Sequence, residues 1–161
     1  MRTPFLIGST ALAIMLGSIS CGSSVSAPQS VTYISTMTGA NERPTANMSA
    51  GTGTGTYVLS GNTLTYTLTA NGLSAAAIGS HLHIGGAAVA GPVLVGYSTA
   101  GVTSGQITSG SIDLSQPVGT GSVTISGDSL RVLLNNGNAY SNIHTSNYTG
   151  GEVRGQLIRQ N

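Results

Sequence analysis

The chain has 161 residues with five arginines, no lysine, four acids and three histidines, so only 6% of it is charged and its formal net charge is +1. Charges this sparse exclude an electrostatic footprint for nucleic acid or for an acidic membrane surface. A mean hydropathy of +0.21 with 39% apolar residues excludes a chain kept disordered by polarity.

Residues 1–20 read as an export signal. Arg2 supplies a positive start, and the apolar run from Phe5 to Ile19 is too short to span a bilayer. The run ends in Ser18-Ile19-Ser20-Cys21, followed by Gly22, which resembles the lipobox of bacterial lipoproteins with Ser18 where leucine is usual. On that reading Cys21 is lipidated and becomes the first residue of the mature protein. The competing reading is plain cleavage after Ala27, with Pro28 directly behind the cut arguing against it. Cys21 is the only cysteine, so no internal disulfide is available. Residues 21–30 are Ser-rich and read as a flexible tether, leaving residues 31–161 as one domain.

Within that domain Gly, Ser, Thr and Val dominate and helix formers are scarce, the composition of short strands joined by tight turns. Val31 to Thr38 alternates as a first strand, and residues 39–44 form a loop. Thr52–Leu59 and Thr63–Ala70 flank Ser60-Gly61-Asn62 as a hairpin, with Leu64, Tyr66 and Leu68 on the buried face of the second strand. Further strands are expected at His81–Ile84, Val93–Ser98, Gly105–Leu114 and near Gly121–Ile125. Leu130, Leu133 and Leu134 recur at helical spacing over 128–136, with Asp128 as the cap and Gly137 as the stop. Ala139–Thr145 and Glu152–Ile158 close the chain. Eight or nine short strands predict an all-β domain, a Greek-key-like antiparallel β-sandwich with one short helix or crossover.

Most of the ionisable groups sit in two segments. His81 and His83 share one strand face, and His144 lies on a late strand beside Asn142. Alternate strand residues are about 6.5 Å apart, close enough for two rings to tilt onto one ion. His81, His83 and His144 are therefore candidate ligands for copper or zinc, with Asn142 or Glu152 as partners of the ligands. The other reading is a structural polar cluster of Asn142, Glu152, Arg154 and Gln156, joined by the histidines as neutral rings, in which a Glu152–Arg154 pair holds two strands in register. Other chemistries find no support. The spacing does not bring Glu42, Asp113, Asp128 and Glu152 together as catalytic pairs, and no serine sits in a nucleophile elbow. The run Gly51 to Gly55 lacks the lysine and helix of a phosphate cradle.

At these motifs the sequence resembles a CHRD domain, the module named from the repeats of chordin and found also in bacterial exported proteins. The matching pieces are Thr38-Gly39-Ala40-Asn41-Glu42-Arg43-Pro44, Leu64-Thr65-Tyr66-Thr67-Leu68 and His81-Leu82-His83-Ile84-Gly85 with Gly91-Pro92-Val93. The last are Tyr140 to Thr145 and Gly151-Glu152-Val153-Arg154-Gly155-Gln156-Leu157. Arg43 stands where valine is more usual, and Tyr148 where proline is. In chordin the repeats serve an extracellular antagonist of growth-factor signalling, and no enzymatic activity is established for the module. A His-x-His strand also begins the copper site of copper–zinc superoxide dismutase, but the fourth histidine, the zinc loop and the disulfide of that enzyme are absent here. The resemblance implies a non-enzymatic binding or interaction domain in an extracytoplasmic setting. Cys21 would tether it to the bacterial cell envelope, at the outer membrane or cell surface; without lipidation it would be secreted. The alternative is a copper- or zinc-binding domain.

Overall fold

The computed structural model describes residues 29–120 and 123–161. The expected export signal, Cys21 and all but the end of the tether lie outside these residues. Eight strands form: β1 (Val31–Thr38), β2 (Thr52–Ser60), β3 (Thr63–Asn71), β4 (Ala77–Ile84), β5 (Val93–Tyr97), β6 (Gly105–Asp113), β7 (Ala139–Thr145) and β8 (Tyr148–Arg159). The one α-helix described is α1 (Gly127–Asn135). The all-β antiparallel class is as expected. The strands hydrogen-bond into a single eight-stranded sheet in the order β5-β4-β7-β8-β1-β2-β3-β6. The sandwich is thus one rolled sheet, nearly closed on itself.

The roll follows from alternation. Inward residues of successive strands, among them Tyr33, Met37, Tyr57, Leu64, Leu68, Leu82, Ile143, Val153 and Leu157, are fully buried. In β3 the leucines point in while Thr63, Thr65 and Thr69 face solvent. The Gly51 to Thr56 run puts glycine at the inward positions of β2. A Cβ on Gly53 would stand 2.9 Å from Met37 Cε, so the missing side chain makes room for the methionine. The two ends of the sheet approach where Tyr97 of β5 stacks on Tyr66 of β3, ring centroids 4.2 Å apart. The Tyr97 hydroxyl also meets the Tyr57 hydroxyl at 3.1 Å.

Two local expectations are corrected. The helix is capped by Ser126, whose Oγ accepts from the Ser129 N–H, and Asp128 lies in the first turn. Gly137 ends it as expected, at φ +66°. The strand expected near 121–125 is reduced to one bridge, Val118 to Ile125; residues 121 and 122 lie outside the described ones. The helix turns Leu130 and Leu134 into the core, and its Asn135 Oδ1 accepts from the Tyr33 hydroxyl at 2.8 Å.

Candidate metal centre

The strands β4, β7, β8 and β1 lie side by side, and their outward residues form one polar face. Register aligns His81 with Asn142 and Asn142 with Arg154, and in the next row His83 with Tyr140 and Tyr140 with Gln156. Motifs distant in sequence are adjacent here because β7 sits between β4 and β8. His144 falls opposite Gly79, where the β4–β7 register slips. A Cβ at position 79 would rest in ordinary contact with the His81 ring, 3.7 Å from Cε1.

The three expected histidines come together. One ring nitrogen from each of His81, His83 and His144 lies within 4.8 Å of the others. Hydrogen bonds fix their protons. His83 Nδ1 is 2.9 Å from the Gly91 carbonyl, which only accepts, so Nδ1 carries the hydrogen and donates it. Its Nε2 is then a bare lone pair 3.1 Å from Asn142 Oδ1, and it is satisfied once the Asn142 amide is turned to present its NH₂. His144 Nδ1 likewise donates to the Thr149 carbonyl at 2.9 Å, leaving Nε2 bare. That nitrogen accepts from His81 Nδ1 at 3.0 Å.

Burial holds all three rings neutral. It pushes His83 down to about 4, and it lowers His81 and His144 too, His81 with help from the neighbouring His144 ring. Neutral imidazoles anchored through their second nitrogen on backbone carbonyls match the way protein histidines are oriented toward transition metals. A tetrahedral ion with bonds of about 2.0–2.1 Å sets its ligand nitrogens about 3.4 Å apart. The His81–His144 pair already approximates that spacing; His83 would have to move inward.

The expected polar cluster divides into separate parts. Asn142 belongs to the centre. Arg154 and Gln156 instead hold the loop 85–92 across the outer face. Arg154 Nη2 donates to the Gly86 and Val89 carbonyls and to Gln156 Oε1, and its guanidinium lies 3.4 Å over the Tyr140 ring. Gln156 Nε2 donates to the Gly85, Gly137 and Ala139 carbonyls. Tyr140 stacks on His83 at 4.6 Å and donates to the same Gly91 carbonyl that His83 uses.

The Glu152–Arg154 pair expected from sequence does not form. Within β8, just after Gly151 at φ +128°, Glu152 reaches one end of the roll, where it accepts from Ser49, Ser74 and Thr145. The acid whose charge acts on Arg154 is Glu42, which packs on Gly151 so closely that a Cβ there would meet its carboxylate. Sequence spacing carried no signal for this, since Glu42 lies more than a hundred residues from both. The carbonyl anchors at Gly91 and Thr149 were equally illegible, being backbone groups.

Residues 33–157 match the CHRD domain family. No curated protein and no solved structure matches the chain.

Proposed function

The chain belongs to the CHRD domain family, and from that premise we propose that it is a non-enzymatic binding domain of an exported, envelope-tethered protein, and that what it binds is a zinc or copper ion held by His81, His83 and His144. The observation that carries this reading is the convergence of three neutral imidazoles, two of them oriented by backbone carbonyls. Imidazole nitrogen suits both metals. His81 would take up the ion after moving its hydrogen from Nδ1 to Nε2, which breaks its bond to His144 and frees both nitrogens. Three protein ligands leave a coordination position for water or for a donor atom from a partner.

Calorimetric titration of the mature chain with Zn²⁺ and with Cu²⁺ tests it. We expect one ion per chain with Kd below about 1 µM, weakened by about 100-fold or more in His144→Ala. His144 is partly exposed, so this variant keeps the fold. Binding weaker than about 10 µM for both ions, or equal binding by His144→Ala, would leave the histidines with a purely structural role.

The tether is supported by the position of Cys21, the sole cysteine, at the end of the apolar run. Cys21→Ser is expected to move the protein from the membrane fraction to the soluble one. Unchanged fractionation on immunoblots would refute lipidation.

A further inference from the structure

A second feature lies on the same outer face, beyond the histidines. Between β1 and β8 runs a cleft of about 410 Å³, lined by Arg43, Arg154, Gln156 and Gln160 and by the facing pair Ile34 and Ile158. Two of the four described arginines meet there, and no acid lines it. Among the described residues the one arginine ion-paired to a carboxylate is Arg131, with Asp128.

Arg43 donates only to backbone carbonyls, those of Ala40 and Glu42. Arg154 is 1% exposed, its Nη2 is engaged by the loop 85–92, and its buried Nη1 has no hydrogen-bond partner, as the buried Oε1 of the neighbouring Glu42 has none. Buried polar groups are nearly always paired, and a buried guanidinium calls above all for an anion. Glu42 cancels this charge only in part, because burial pushes its carboxyl up to about 7 against the pull of Arg154 and Arg43.

We infer that this cleft binds a small organic acid, its carboxylate on the Arg43 fork with the Arg154 charge behind it and its hydrocarbon body on Ile34 and Ile158. A planar carboxylate accepts side by side from a guanidinium fork, which gives it orientation as well as charge. Ile158 is 54% exposed and Ile34 partly so, which supplies an apolar strip beside the cations. Two guanidiniums partly offset by Glu42 suit a singly charged acid better than a phosphate. The cleft lies on the far side of β8 from the His144 strand β7, holds no histidine and does not depend on metal.

Butyrate, butyramide and inorganic phosphate are the probes, titrated into the mature chain while the methyl resonances of Ile34 and Ile158 are followed by NMR. We expect saturable shifts of both methyls with butyrate, none with butyramide, and an affinity about tenfold weaker in Arg43→Gln. Arg43 is half-buried and away from the core, so the variant keeps the fold, which circular dichroism checks. His144→Ala should bind butyrate as the parent does, which separates this site from the metal centre. Equal binding of butyramide, tighter binding of phosphate, an unchanged Arg43→Gln, or no saturation with butyrate would each overturn the assignment.

Discussion

Glu152→Ala is expected to cost about 3 kcal/mol of folding stability, because it strips the charged acceptor from four donors contributed by three segments, Thr145 among them fully buried. The carboxylate is fully buried and takes the Ser49 hydroxyl and the Ser74 N–H on Oε1, and the Ser74 and Thr145 hydroxyls on Oε2. It thereby joins the β1–β2 loop, the β3–β4 loop and β7 to β8. Burial alone would raise its pKa, but the bonds from Ser49, Thr145 and Ser74 outweigh that and hold it below the usual carboxylate value. Glu152→Gln is the informative companion. Its oxygen can keep Ser49 and the Ser74 N–H, while its NH₂ donates to hydroxyls that rotate to accept, for a cost of about 1 kcal/mol. Urea denaturation of the two variants decides: an alanine variant within about 1 kcal/mol of the parent would remove Glu152 from this role.

Stability should also depend on pH through Glu42, in the sense opposite to a salt-bridged acid. Its folded pKa is raised from 4.5 to about 7, with burial as the chief cause. Between these values the folded state binds more protons than the unfolded one. The contribution is therefore fully present below pH 4.5 and is lost as pH rises through about 7. At 3% exposure the group is little screened, and the shift corresponds to about 3 kcal/mol over the window. The histidines run the other way, since their lowered values favour the fold at higher pH. The parent must therefore be compared with Glu42→Gln. The difference, variant minus parent, should grow as pH rises from 4.5 to 7.5; a constant difference would mean that Glu42 is ionised throughout.

What the sequence made legible follows the reach of local physics. β1 and the β2–β3 hairpin appear at the expected residues because alternation and the Ser60-Gly61-Asn62 turn act over neighbouring positions. The helix was visible through Leu130 and Leu134, but its cap moved to Ser126 because a serine two residues earlier reaches the Ser129 N–H. The histidine cluster was legible because period-two faces determine which rings share a side. The fate of Glu152 was not, for Ser49 and Ser74, which engage its carboxylate, come from loops far away in sequence. Nor was the influence of the Glu42 charge on Arg154, which depends on β8 lying beside β1.

That neighbourhood of first and last strands bears on when the molecule can fold. β8 lies between β7 and β1, deep in the sheet rather than at its rim. Every half-made chain therefore lacks the strand that joins β1, β2, β3 and β6 to β4, β5 and β7. Arg154 and Gln156 join the histidines of β4 and β7 on the polar face only once β8 has been made and has paired with β7.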